Sequence, residues 1–233
     1  PSKHGPCSSL VGAVRALWGW ETVHLINRLD RETSGLVLLA QDKAVASPLQ
    51  RAFMQGRVAK TYHALLCGHL PAPVEAPWPL ADDPASPVGI KTRAWAPGSP
   101  GAKAARTRFV PLAWGPGHTL VRIHPAQGRK HQIRAHARAL GRPVAGDKIY
   151  GPDDRLYLRF IAQGFDDLLD RFLPLPRQAL HCSRLVLTDP LAPPLDLRAP
   201  LPDDFLRLAL ALLTHLDEAG LAALVAEERP REA

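Results

Sequence analysis

Cysteine is scarce: Cys7, Cys67 and Cys182 are the only three in 233 residues. Odd in number and far apart, they make neither a disulfide framework nor a zinc pattern, so a reducing, cytoplasmic setting is expected. No apolar run approaches the ~20 residues a membrane-spanning helix needs. No signal peptide is recognisable either, and no membrane partner is expected. The chain opens on Pro1 rather than Met, so further sequence upstream is expected. Internal repeats are missing. The most telling lack is of acid. From Pro84 to Gly146 there is not one Asp or Glu, while the same stretch carries Lys91, Arg93, Lys103, Arg106, Arg108, Arg122, Arg129, Lys130, Arg134, Arg138 and Arg142. A basic section without compensating carboxylates is the footprint expected for a polyanion, nucleic acid first among them. The bland alternative is a solvated basic face that binds nothing specific.

What is present is a globular composition, 46% hydrophobic and 22% charged, on a chain long enough for one domain with a small appendage. It is organised around Leu25-Ile26-Asn27-Arg28-Leu29-Asp30-Arg31-Glu32-Thr33-Ser34-Gly35 and the apolar run Leu36–Ala40 that follows. That run is too short for an ordinary helix and is closed by Gln41-Asp42, so a buried strand is predicted. Asp30 then sits on irregular backbone just before a core strand, between Arg28 and Arg31, whose cations favour its ionised form. On this stretch alone, a loop Asp capping a turn or pairing with a structural Arg carries equal weight.

Local signals place the other elements. Ser9–Trp18 reads as a short helix. Asp42 reads as the N-cap of a helix over Lys43–Gln55, with Leu49, Ala52 and Phe53 inward and Gly56 at its end. Arg57–Gly68 reads as a strand with Val58, Lys60, Tyr62, Ala64 and Leu66 on one face. Tyr62 is either a core aromatic or, beside a basic site, a ring on which a base stacks. Pro71–Gly101 reads as a long surface excursion with short strands around Val88–Trp95. Arg106–Trp114 and His118–His124 are predicted to form a hairpin about Gly115-Pro116-Gly117. A strand, a Gly-containing basic turn and a helix ended by Gly141 follow. Its spacing puts His131, Arg134 and Arg138 on one face and Ile133, Ala137 and Leu140 on the other. A basic turn opening a helix suits phosphate. His131 and His136, five apart, point away from each other and no third ligand recurs, so no metal site is expected. Val144–Gly151 is turn-rich, Leu156–Phe172 helical, and Arg177–Pro190 ends in a strand. Asp203-Asp204 cap an amphipathic helix with a Phe205, Leu208, Leu212, Leu216 stripe, which continues or restarts beyond Gly220, and the last residues are expected to fray.

Four ordered segments resemble one family. Asn27–Gly35 resembles the signature of the RluA-type RNA pseudouridine synthases, usually His-Arg-Leu-Asp-x-x-Thr-Ser-Gly. Lys60-Thr61-Tyr62-His63-Ala64, the run Gly128–Arg134, and Gly146-Asp147 with Tyr150-Gly151 resemble further motifs of that family. Arg177–Pro190 is similar to its closing pattern. The resemblance covers roughly Leu25–Pro202. It departs at Asn27, where the usual signature has His, and the family's first, Lys-Pro-containing motif is not recognisable near Pro1-Ser2-Lys3. No S4-type RNA-binding domain lies in these residues, so target selection is expected to rest on the catalytic domain or on partners.

The resemblance implies an α+β pseudouridine synthase fold, a mixed, largely antiparallel sheet flanked by helices with an RNA-binding cleft. Residues 1–202 would be the catalytic domain, and 203–233 an amphipathic helix packed on it plus a frayed tail. The implied activity is isomerisation of specific uridines in ribosomal or transfer RNA to pseudouridine, by a monomer needing no cofactor and no metal. Asp30 matches the essential aspartate, Arg134 the arginine that pairs with it bidentately, and Tyr62 the tyrosine that stacks on the uracil. Arg28 is implied to brace the gap left by the flipped base. Lys60, Arg129, Lys130, His131, Gln132 and Arg138 are the expected RNA contacts, with the cations positioning phosphates rather than reading sequence. A non-catalytic RNA-binding module and an unrelated hydrolase are the competing classes. The first should lack one of Asp30, Tyr62 and Arg134, and the second should show a nucleophile–base constellation that is not found.

Overall fold

The computed structural model describes residues 9–187 and 194–226. Cys7, the expected strand end at Thr188–Pro190 and the expected frayed tail lie outside the described residues. In chain order the elements are α1 (Leu10–Trp18), β1 (His24–Leu25), β2 (Ser34–Gly35), β3 (Leu39–Ala40), α2 (Lys43–Met54), β4 (Val58–Cys67), β5 (Val74–Ala76), β6 (Leu80–Asp82), β7 (Thr92–Ala94), β8 (Thr107–Gly115) and β9 (His118–Pro125). Then come α3 (Gln132–Ala139), α4 (Arg155–Gln163), α5 (Asp167–Phe172), β10 (Leu180–Leu187), β11 (Leu195–Arg198), α6 (Asp203–Leu212) and α7 (Glu218–Ala226).

Contacts divide the chain into two units, one of residues 1–29, 36–59 and 184–198, the other of 30–35, 60–183 and 199–233. In the smaller unit both expected helices form, and each begins at a side-chain cap. Ser9 accepts from Gly12 N at the start of α1, and Asp42 accepts from Ala44 N at the start of α2. Such caps satisfy backbone N–H groups that have no partner inside the helix. Pro48 is accommodated within α2. The expected strand over Leu36–Ala40 is reduced to Leu39–Ala40, paired antiparallel with β1. The reason lies in Asn27. Its amide donates to Leu36 O at 3.1 Å and accepts from Leu38 N at 2.7 Å, so a side chain takes the place of a neighbouring strand.

The larger unit is built on a sheet in which β10, β4, β9, β8 and β5 follow one another, with β2 added parallel to β10. The β4–β9, β8–β9 and β5–β8 pairings are antiparallel. The hairpin expected about Gly115-Pro116-Gly117 is present, with one irregularity between Pro111 and Ala113. The excursion is more ordered than predicted: β5 joins the sheet edge, and β6 pairs with β7 as a separate small hairpin. Three-residue strands are too short to show a period of two. The long helix expected over Leu156–Phe172 is two, because Gly164, at φ 80°, ends α4.

The core of this unit gathers Leu65, Leu66, Phe109, Leu120 and Ile123 from the sheet with Ile133 and Ala137 of α3. Phe205 and Ala209 of α6, Leu213 just after it and Leu221 of α7 enter the same core. The C-terminal helix thus restarts at Glu218, before Gly220 rather than beyond it. The segment at Ala145 is stitched between two others: Ala145 N donates to Leu65 O and Ala179 N to Ala145 O. Gly146 is required there, since its φ is 76° and a Cβ would lie 2.2 Å from Arg177 O.

Candidate active site

Asp30 belongs to a six-residue loop, 30–35, each end of which is fixed within the larger unit. Thr33 N donates to Asp30 O at 3.0 Å and closes a turn. Thr33 Oγ1 accepts from Gln178, Ser34 Oγ bonds His181 Nδ1, and Gly35 lies beside Cys182 in the parallel β2–β10 pairing. A Cβ on Gly35 would sit 2.2 Å from Cys182 O, and its φ is 114°. The Thr-Ser-Gly part of the signature is therefore a set of anchors that hold the aspartate in place.

Arg134 Nη1 donates to Asp30 Oδ2 at 3.0 Å. The fork of the guanidinium, however, goes elsewhere. Nε and Nη2 donate to the two oxygens of Asp147, at 2.6 and 2.8 Å. The bidentate pairing expected for Asp30 belongs to Asp147, a fully buried carboxylate that also accepts from Ile149 N and Tyr150 N at 2.9 Å. Burial opposes the Asp147 charge, and Arg134 outweighs it, leaving its pKa below the usual carboxylate range. Burial likewise opposes the Arg134 charge, and Asp147 and then Asp30 outweigh it, raising the guanidinium pKa. The result is a chain of charges, Asp147–Arg134–Asp30, in which only Asp30 is open to solvent, with 23% of its side chain exposed.

Tyr62 on β4 packs against the hydrophobic core. Its hydroxyl lies within the influence of Cys182 and Asp30. Burial first, then Cys182 and Asp30, raise the phenol well above its ordinary pKa, so the group is protonated at neutral pH. Tyr150 packs its ring 5.0 Å from the Arg134 guanidinium carbon, and its hydroxyl meets Thr92 N, Thr92 Oγ1 and His131 Nδ1. Burial and the neighbouring Arg134 push His131 down to about 4, so the ring is neutral at pH 7. His131 is the one non-glycine residue with positive φ, 55°, among the described residues, and it precedes α3 rather than lying on its face.

The other expected RNA contacts fall into two groups. Arg129, Lys130 and Arg138 are exposed. Arg129 Nε reaches Ala104 O at 3.2 Å, and Lys130 Nζ pairs with Asp82 at 2.8 Å. Arg28, in the smaller unit, is exposed as well. Lys60 and Gln132 are withdrawn. The Lys60 ammonium donates to Gln127 O, and burial lowers its pKa. Gln132 is buried, with its amide committed to Arg106 O, Thr107 Oγ1 and Arg129 N. It shapes the 127–131 turn and presents no free group to RNA. The shared face expected for Arg134 and Arg138 does not form either: residues 132–137 are all buried and Arg138 is exposed.

The family pattern described as RNA pseudouridylate synthase matches residues 11–139, more than half of the chain. The chain belongs to this family. Ribosomal large subunit pseudouridine synthase C of Vibrio cholerae serotype O1 is 32% identical over 206 residues, covering 85% of this chain and 59% of that protein. Ribosomal large subunit pseudouridine synthase D of Nitrosomonas europaea is 33% identical over 192 residues, covering 81% and 51%. Among solved structures, human RNA pseudouridylate synthase domain containing 1 matches with a TM-score of 0.68 at 28% identity, over 95% of this chain and 87% of that one. Human RNA pseudouridylate synthase domain containing 4 gives 0.65 at 28%, over 84% and 78%. The chain spans about half to three-fifths of the length of the curated relatives it matches.

The α+β architecture with its largely antiparallel sheet is thus that of the pseudouridylate synthase family. Within this family member, sequence reasoning missed the part played by Asp147 and Tyr150. Both stand in the Gly146–Gly151 motif, and the signal available was an acid, Asp147, closing the long acid-free stretch from Pro84 to Gly146. Among the described residues, no three His, Cys, Asp or Glu side chains are grouped to hold a metal ion, and no helix is long and apolar enough to cross a membrane.

Proposed function

We propose that this chain isomerises specific uridines in structured RNA, ribosomal or transfer, to pseudouridine, with Asp30 as the catalytic carboxylate. The observation that carries the reading is the Asp147–Arg134–Asp30 chain, which holds one solvent-accessible carboxylate in a fixed orientation on an anchored loop. The reaction breaks the N1–C1′ bond, turns the uracil in place, joins C5 to C1′, and moves the C5 proton out and a proton onto N1. Atoms and electrons balance without a redox partner. Asp30 acts on the ribose, by adding to C1′ or by abstracting a ribose proton. Tyr62 offers the uracil a ring to stack on, and its hydroxyl takes up the C5 proton as it hands its own proton on to the freed Asp30 carboxylate or to water.

The base must leave its stack to reach Asp30, and that cost falls to contacts with the surrounding RNA. Five exposed cations of the larger unit support such contacts. Arg93 lies opposite Ala81, and Lys103 is bridged to Leu80 on the β6–β7 hairpin. Arg106 donates its backbone N–H to the Gln127 side chain, Arg129 Nε donates to Ala104 O, and Lys130 pairs with Asp82. Phosphate contacts of this kind give salt-dependent affinity without sequence information. Arg28 remains the candidate to fill the space left by the flipped base. Residues 1–202 serve in this reading as the catalytic domain, with α6 and α7 packed on it, and the protein works as a cytoplasmic monomer without cofactor or metal.

The test is release of tritium from RNA labelled at C5 of uridine, with Asp30→Asn as the partner variant. Wild type is expected to release tritium at discrete sites and Asp30→Asn to bind the same RNA without release. Retained turnover in Asp30→Asn would remove the mechanism, and RNA binding without release by the wild type would make the chain a binding module.

A further inference from the structure

The Asp30 loop is gripped a second time, at Glu32, by a side chain that no part of the reaction above uses. Lys148 is 1% exposed, a rare condition for a lysine. Its ammonium donates to both oxygens of Glu32, at 2.8 and 2.9 Å, and to Pro176 O. The Phe160 ring lies 4.4 Å away on another side. All three protons of the ammonium are thereby used, and its charge faces a carboxylate and an aromatic ring in place of water. A buried pair of this kind brings little net stability, because desolvation offsets its attraction. Its consequence is geometric. Lys148 directly follows Asp147, so two consecutive residues on one turn hold two residues of the catalytic loop, Asp147 through Arg134 to Asp30, and Lys148 directly to Glu32.

We propose that Lys148 is a positioning residue for Asp30, acting through Glu32, and that the Glu32–Lys148 pair sets the backbone of the loop while Asp147–Arg134 sets the carboxylate rotamer. The proposal rests on the reading of Asp30 as the catalytic group. A displacement of about 1 Å at a reacting centre costs on the order of a hundredfold in rate, whereas RNA phosphates bound elsewhere do not sense it.

The experiment compares wild type, Lys148→Met, Lys148→Arg and Glu32→Gln in two readouts. The first is tritium release at saturating and limiting RNA. Lys148→Met and Glu32→Gln are expected to lower kcat about 10- to 100-fold with KM within twofold, and Lys148→Arg to recover part of the loss. The second is hydrogen exchange of the Thr33 amide, whose bond to Asp30 O closes the loop turn. It is expected to speed up in Lys148→Met while core amides such as Leu65, bonded to Ala179 O, keep their wild-type rates. Exchange that rises equally in loop and core would make Lys148 a stability residue only and overturn the proposal. Unchanged exchange with unchanged kcat overturns it as well. A wild type that releases no tritium, together with selective loosening of Thr33, would sink the reading of Asp30 as catalytic while leaving the clamp standing.

Discussion

Asp147→Asn separates the two ways in which a carboxylate near Arg134 matters. Asp147 Oδ1 accepts from Ile149 N, Tyr150 N and Arg134 Nη2, and Oδ2 accepts from Arg134 Nε. Asparagine can keep its oxygen at the first position, so the turn survives. Its NH2 then meets the Nε–H of Arg134, donor against donor, and the guanidinium loses its fully buried counter-charge. Removing one partner of a buried ion pair costs about 3–5 kcal/mol. Asp30→Asn removes one bond from a partly exposed carboxylate and should cost about 1–3 kcal/mol at most. Against a total stability of about 5–15 kcal/mol the first loss is large. For a chain of this size it corresponds to a fall in Tm of roughly 6–20 °C. Urea denaturation of the two variants is the assay, followed by turnover at a temperature where both are folded. Asp147→Asn is expected to be the less stable protein and to keep a reduced rate, and Asp30→Asn the more stable one with none. The acid limb gives an independent check. Because the folded Asp147 pKa is depressed, its contribution is present above the ordinary carboxylate pKa and is lost as pH falls through the folded value. The variant should lack that part of the acid slope. Equal stability of the two variants, or an unaltered acid slope, would refute the placement of the guanidinium fork on Asp147.

Three further outcomes are expected. Gly35→Ala should cost at least ~2 kcal/mol by urea denaturation, because the positive φ and the approach to Cys182 O leave no room for a methyl group; a loss under ~0.5 kcal/mol would mean that β2 does not pair as described. His63 is buried with its Nδ1 on Ser183, and burial lowers its pKa to about 3. The unfolded chain therefore binds the extra proton between about pH 6.5 and 3, and stability should fall by roughly 2–3 kcal/mol from pH 6.5 to pH 4.5, a slope that His63→Gln flattens. Asp82→Asn should tighten RNA binding at low salt by freeing Lys130, and Lys130→Ala should weaken it and reduce the salt slope by about one; filter binding across a salt series decides both.

Elements punctuated by their own residues were legible in advance. Ser9, Asp42, Gly56, Gly115–Gly117 and Gly141 mark ends through caps and turns that involve only near neighbours. Elements decided at a distance were not. Leu36–Ala40 reads as a strand until Asn27 supplies the hydrogen bonds a strand partner would have made. The face shared by Arg134 and Arg138 is a correct statement about helical spacing that presumes a solvated side, and α3 is covered over residues 132–137. The target of the Arg134 fork depends on the turn that brings Asp147 back against the helix thirteen residues later, and nothing periodic in the sequence records it.

Of the two readings open for Tyr62 on its strand, packing against the core is the one the structure shows. Its ring packs against the buried cluster. Its hydroxyl, at the far end, lies within the influence of Cys182 and Asp30. Under the proposed function, a ring already packed against the core would cost little further ordering when a base stacks on it. The same economy of arrangement explains the signature loop. Thr33, Ser34 and Gly35 are each tied to the 178–182 segment. What these ties hold is therefore the position of Asp30. A chain that kept the aspartate and lost those ties would keep the residue without its geometry.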